Sequence, residues 1–305
     1  MTFSKVVFKF VDHLYKNAQN PKKLRKKYAD VKVEKDILYG ENPKEELLDI
    51  HYLPKTDGEP YPVIMEIHGG GFSAGDKKYR TVLSSFYAKE TGAFVVNVNY
   101  GLGGKTICPV PVRQLVNAVN WVVANKEKYN LDLSRFVVTG DSAGGYYSSM
   151  LSVLQDSPFL QELYQAKPQA RFGAALLNCG VYDMRLALKQ KILLNLTKGV
   201  ALDYAGITPK EIETFKYKEG MSPIEHITEN FPKTLVIYAE QDFFCGGQGE
   251  AICQKLKDLG VYHESYGSTE YADNHTFSLT WTSKAAQEAT ALSISFLNRY
   301  FKGEI

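Results

Sequence analysis

From about residue 47 onward, short apolar runs alternate with longer amphipathic segments. Leu48-Asp49-Ile50-His51-Tyr52-Leu53 alternates as a half-buried strand does, and Pro54 and Asp57-Gly58 then mark a turn. Val63–Ile67 and Phe94–Val98 are nearly unbroken apolar runs rich in β-branched residues, the pattern of strands covered on both faces. The same reading predicts strands over 135–139, 174–177, 234–238 and 261–266. Helices are expected over 115–128, where Leu115, Val116, Val119, Val122 and Val123 make a stripe, and over 143–154, 250–259 and 283–300. Strands alternating with helices predict an α/β fold with a mostly parallel central sheet flanked by helices.

Two stretches fall outside that alternation. Residues 1–45 read as helical and basic, with Lys22, Lys23, Arg25, Lys26 and Lys27 crowded into six positions. A solvated helix face is the plain reading of that crowd, and contact with an anionic membrane is the sharper one. Residues 183–222 have helical character and no strand runs. Both stretches are expected to form a helical cap over the sheet.

Composition narrows the class without naming the chemistry. A length of 305 residues admits two domains or one large α/β domain. With 44% hydrophobic and 23% charged residues, the chain has ordinary globular composition, which excludes a disordered one. Lys and Arg number 36 against 34 Asp and Glu, so nothing points to nucleic acid. No apolar stretch approaches the roughly 18 residues of a membrane span, and Met1–Phe10 lacks the apolar core of a secretory signal. A cytoplasmic chain without stable membrane insertion is expected. Cys108, Cys179, Cys245 and Cys253 form no CxxC pair and no zinc spacing, so they read as reduced structural thiols. No metal ligand and no cofactor-binding residue is nominated.

The chemistry sits in two glycine-rich turns. Gly140-Asp141-Ser142-Ala143-Gly144 satisfies G-x-S-x-G between a predicted strand and a predicted helix, the setting in which a sharp turn lifts a serine hydroxyl clear of a sheet. His68-Gly69-Gly70-Gly71 follows the strand at 63–67, and its glycines free the backbone to point N–H donors at a developing oxyanion. A serine nucleophile needs a base and an orienting carboxylate, in the chain order Ser, acid, His. Of the histidines after Ser142, His226 precedes the strand that should present the acid, and His263 lies inside a strand. His275, in the polar loop after the last strand, is the expected base. Asp242, just past the strand at 234–238, is the expected acid, where sites of open α/β sheets gather. Glu240, Asp258 and Asp183 are weaker alternatives, and Asp273 reads as a loop cap. These residues must share one site although far apart in sequence, which argues for one catalytic domain over 1–305 with the cap at about 1–45 and 183–222.

With HGGG at 68–71 and GDSAGG at 140–145, the chain resembles the hormone-sensitive-lipase-like esterases and lipases of the α/β-hydrolase fold. The resemblance extends over roughly residues 47–300. It implies Ser142 as nucleophile, Asp242 as acid and His275 as base, with the backbone N–H groups of Gly70, Gly71 and Ala143 as oxyanion hole. It gives His68 a structural role and implies a small-molecule ester substrate with a short or medium acyl chain. A homo-oligomer is compatible with it. The chain departs from the family at Tyr100-Gly101-Leu102-Gly103-Gly104, where Tyr-Arg-Leu-Ala-Pro-Glu is frequent, and at Phe243-Phe244-Cys245, where Pro and another Asp often follow the acid.

Rival readings are weaker. Gly101 to Thr106 looks like a phosphate loop, but the first Walker glycine is replaced by Asn99. Asn195-Leu196-Thr197 and Asn274-His275-Thr276 match glycosylation acceptors, which mean little without a secretory signal. A non-catalytic small-molecule receptor on the same fold is disfavoured by the presence of His275. An amidase or peptidase would use the same triad and is the runner-up among enzymes.

Overall fold

A computed structural model describes residues 1–189 and 196–305. The strands are β1 (Lys32–Leu38), β2 (Leu47–Tyr52), β3 (Tyr61–Ile67), β4 (Phe94–Val98), β5 (Leu131–Asp141), β6 (Ala174–Asn178), β7 (Lys233–Ala239) and β8 (His263–Ser268). They form one sheet in the order β1-β2-β4-β3-β5-β6-β7-β8. The β1–β2 and β2–β4 pairs are antiparallel, and every other pair is parallel.

The early helices are α1 (Phe3–Gln19), α2 (Lys22–Lys27), α3 (Thr81–Thr91), α4 (Val110–Ala124) and α5 (Lys126–Tyr129). The later ones are α6 (Ala143–Leu154), α7 (Pro158–Tyr164), α8 (Met184–Lys189), α9 (Leu196–Ala205), α10 (Gln248–Asp258) and α11 (Lys284–Phe301). Strand alternation divides them into two layers. Val63, Met65 and Ile67 of β3 pack with α4, α6 and α10, whereas Ile64, with Val95, Val137 and Leu235, packs with α3 and α11. Both faces of the inner strands are therefore dry, which is why they read as unbroken apolar runs.

The structure bears out the expected mostly parallel, helix-flanked sheet. It corrects the first 45 residues, which are not all helical: 32–38 form edge strand β1, with a register shift between Glu34 and Ile37. The last strand begins two residues later than expected, and the helix expected over 115–128 starts at Val110 and breaks after Ala124. Helix α9 packs on both α1 and α8. Asn195 and residues 190–194 of the expected cap lie outside the described residues.

Candidate active site

Strand β5 ends at Asp141 and helix α6 starts at Ala143, leaving Ser142 alone on the bend with φ 53°. That left-handed backbone is costly for a residue with a Cβ and persists only where its surroundings hold it. Here the Ser142 N–H donates to the Asn178 carbonyl at the end of β6 (2.9 Å), and its own carbonyl accepts from Tyr146 N–H (3.0 Å). The turn is pressed against β3, so that a Cβ on Gly144 would lie 1.9 Å from the Ile67 carbonyl oxygen. Glycine at 144 is thus a packing requirement.

Two loops from the carboxyl ends of β7 and β8 meet Ser142. His275 Nε2 lies 2.8 Å from Ser142 Oγ, and His275 Nδ1 lies 2.8 Å from Asp242 Oδ2. The other carboxylate oxygen of Asp242 accepts the N–H groups of Phe244 (2.8 Å) and Cys245 (2.9 Å). Burial would raise the Asp242 pKa, but His275 and these donors hold it below the usual carboxylate value. Burial likewise opposes charge on His275, and the Asp242 carboxylate outweighs it, so the imidazole pKa lies above its ordinary 6.5. An ionised Asp242 can only accept, which puts the neutral ring's proton on Nδ1 and leaves Nε2 to accept from the serine hydroxyl.

The rejected candidates lie elsewhere. His226 is half-buried and bonded to the Glu219 carbonyl, and His263 sits in β8 against Val261. Asp183 accepts the Leu186 N–H at the head of α8, and Asp273 accepts from Ser268 within its own loop. The Gly101–Thr106 turn is tied down as a bridge, with Gly103 N–H on the Phe72 carbonyl and Thr106 on Glu45.

In the loop after β3, Gly70 (φ 133°) and Gly71 (φ 57°) adopt conformations that favour glycine. The Gly70 carbonyl accepts from Ser73 and Ala74, curling the loop back on itself. Gly71 and Ala143 line a cavity beside Ser142. As the first residue of α6, Ala143 has a backbone N–H with no intrahelical acceptor. His68 is buried, stacked on Tyr100 (4.6 Å between rings) and bonded to the Gly69 carbonyl (2.7 Å). Burial lowers its pKa to about 4, so it is a neutral brace.

Sequence reasoning missed the polar frame behind these loops. Arg80 makes a two-pronged ion pair with Asp141 (2.7 and 2.6 Å), both side chains almost fully buried. Asp141 also accepts the Gly69 N–H (3.2 Å), coupling the serine turn to the glycine loop. Arg80 reaches Gln19 of α1, and Asp12 of the same helix accepts the Gly75 N–H. Asn274 ties the histidine loop to the acid loop by donating to the Gln241 carbonyl and accepting from Phe243 N–H. Only the position of Asp141 inside the serine motif could have flagged this frame.

The cavity over Ser142 is narrow, about 30 Å³, and almost wholly apolar. Phe8 of α1, Met184 and Leu188 of α8, Leu196 and Val200 of α9, and Phe244 contribute walls. Phe244 meets both Phe8 (5.7 Å) and the edge of His275 (5.1 Å). Cys179 approaches the Asp242–His275 pair, with donor atoms within 4.8 Å of one another. Burial raises the Cys179 thiol pKa, keeping it protonated, and both imidazole nitrogens are already engaged. That donor set therefore fits hydrogen bonding better than a metal ion.

Comparison with known proteins gives this geometry a context. The chain is 26% identical over 260 residues to esterase LipQ of Mycobacterium tuberculosis, covering 85% of this chain and 60% of the relative. It is 26% identical over 277 residues to the probable carboxylic ester hydrolase LipM of the same organism, covering 89% and 62%. The chain thus spans about 60% of the length of these relatives. Esterase B from Lactobacillus rhamnosis superposes with a TM-score of 0.76 at 20% identity, covering 94% of both chains. An esterase from Pyrobaculum calidifontis gives 0.73 at 22%, covering 95% and 93%. Both structures share the fold. Residues 48–252 match the family model described as BD-FAE, and with the HGGG and GDSAGG turns in place the chain belongs to the BD-FAE family, in the hormone-sensitive-lipase-like part of the α/β-hydrolase fold.

Proposed function

We propose that this chain is a serine carboxylesterase, cleaving short- or medium-chain acyl esters through a Ser142–His275–Asp242 triad. The observation that carries the reading is the pair of 2.8 Å contacts linking the three side chains at the floor of an apolar cavity. Relatives described as an esterase and as a probable carboxylic ester hydrolase favour esters over amides.

In this mechanism Ser142 Oγ attacks the ester carbonyl carbon while its proton passes to His275 Nε2. The carbonyl π electrons move to the oxygen, and the oxyanion is held by the N–H groups of Gly70, Gly71 and Ala143. Collapse expels the alcohol, which takes the proton from His275 and leaves an acyl group on Ser142. A water then attacks that acyl carbon with His275 again as base, releasing the carboxylic acid and restoring the serine. Asp242 orients the ring and stabilises the imidazolium throughout. The helices α1, α8 and α9 act as the cap that walls the acyl group.

Purified Ser142→Ala protein should lose p-nitrophenyl butyrate hydrolysis by several orders of magnitude, up to about 10⁶-fold in kcat. Wild-type turnover by that variant would overturn the assignment. An aminoacyl anilide run beside the ester separates the amidase reading, which predicts comparable cleavage of both.

A further inference from the structure

Helix α1 is amphipathic in the reverse sense of a usual surface helix. Its inner face is largely polar and firmly clamped. Ser4 Oγ donates to Asp203 (2.6 Å), Asp12 accepts from Gly75 (2.8 Å), Gln19 accepts from Arg80 (2.8 Å), and Phe8 packs on Gly71. Its apolar stripe points the other way. Phe3, Val6, Phe10 and Leu14 follow one another at spacings of three and four, the period of one helix face, and all are exposed. Phe10 is 61% and Leu14 56% exposed, with Met1 at 90% at the head of the same helix. Because the inner contacts fix the helix's rotation, this stripe has no place in the core, and contiguous exposed apolar surface of this kind marks a binding face.

Charge identifies what the face meets. The first 27 residues hold eight of the chain's 36 Lys and Arg against one acidic residue, Asp12, which is turned inward. Among the described residues, Lys9, Lys22, Lys23, Arg25 and Lys26 are exposed and form no ion pair. Phosphate-rich nucleic acid or an acidic protein would satisfy the cations but leave the phenylalanines wet. An anionic bilayer surface satisfies both, with apolar side chains at the acyl boundary and cations among the headgroups. No described helix is long and apolar enough to cross a membrane, so the contact is peripheral.

We infer that α1 is an interfacial docking helix, seating this chain on anionic phospholipid bilayers through Phe3, Val6, Phe10 and Leu14 with the adjoining basic cluster. Since Phe8 on the opposite face walls the cavity over Ser142, docking sets that cavity one helix thickness, about 10 Å, from the lipid. The inference goes beyond ester chemistry and does not depend on it.

The test is co-sedimentation of the full chain with vesicles of phosphatidylcholine alone and of phosphatidylcholine with an equal share of phosphatidylglycerol. Binding to the anionic vesicles should be at least tenfold tighter and should fall steeply as salt is raised from 50 to 500 mM. Phe10→Glu/Leu14→Glu should lose at least tenfold of that binding, with its thermal melt and its hydrolysis of a soluble butyrate ester unchanged. Val6→Asn/Phe10→Ser, which adds no charge, should weaken binding in the same direction. Absence of binding to anionic vesicles, or binding indifferent to both variants, would overturn the inference. So would a dimer in light scattering that Phe10→Glu/Leu14→Glu dissolves, since the stripe would then be covered by a second copy.

Discussion

At the residue scale, the site is governed by what surrounds two acids and one base. In the proposed mechanism His275 must be neutral to accept a proton, so activity should be present above its pKa and lost as pH falls through it. Because Asp242 holds that pKa above the ordinary 6.5 despite burial, the acid limb of kcat/KM should have its midpoint above 6.5. Asp242→Asn should move the limb to lower pH and cut kcat by about 10⁴-fold, whereas an unmoved limb would remove His275 from the role. Glu66, on β3 behind the glycine loop, shows the opposite logic. Burial raises its pKa to about 8, against 4.5 for a free carboxyl, and its Oε2 has no partner among the described residues. The folded state therefore holds a proton that the unfolded state gives up, and stability falls as pH rises from about 5 to 8, by up to about 1.4 kcal/mol per pH unit. Glu66→Gln should gain stability over wild type across that window in melts at pH 5, 6.5 and 8; parallel curves would mean that Glu66 ionises normally. That Ser142, Asp242 and His275 come together is legible in the sequence because their loops follow strands in a fixed order. Arg80 and Asn274 were not, since each acts through partners 61 and 33 residues away that no local pattern joins to it.

At the scale of elements, legibility tracked burial. Strands β3, β4, β6 and β7 are inner strands covered on both faces, and their apolar runs announce them. Strand β1 is an edge of Lys, Glu and Asp with a register shift, the composition by which edges avoid further pairing, and so it reads as polar helix or loop. The start of β8, the other edge, is hard to place from sequence for the same reason: most of its residues are only half-buried or exposed. The turns between elements carry the site, and one buried pair holds them. Arg80, just before α3, clamps Asp141 at the end of β5, and Asp141 in turn holds the Gly69 N–H. Removing one partner of such a pair leaves a buried charge unpaired, which costs about 3–5 kcal/mol. Arg80→Met should lose stability of that order in urea unfolding, and kcat should fall with it as the serine turn and glycine loop lose their shared anchor. Arg80→Met/Asp141→Asn should recover much of the stability, because no unpaired charge remains. A single variant as stable as wild type would show the pair to be replaceable.

At the scale of the whole molecule, the cavity over Ser142 is assembled from parts that share no neighbourhood in sequence. Phe8 comes from the first helix, Gly71 and Ala143 from the two glycine turns, Met184, Leu188 and Val200 from the middle helices, and Phe244 from the acid loop. Length and composition could hint at surplus helices but not at which side chains would converge, because α1 reaches the site through long-range packing on α9 and hydrogen bonds to Gly75 and Arg80. The walls are apolar and the space small, about 30 Å³, so a short acyl chain fits with little rearrangement while a long one must displace Phe8 or the α8–α9 pair. Across p-nitrophenyl esters from C2 to C16, kcat/KM should peak at C2 to C6 and decline beyond. Phe8→Leu should shift the peak to longer chains without moving the acid limb of the pH profile, since the ring walls the cavity but takes no part in proton transfer. A wild-type optimum at C12 or longer would mean that the cap opens widely in solution, and the narrow cavity would then be a closed state rather than the one that selects substrate.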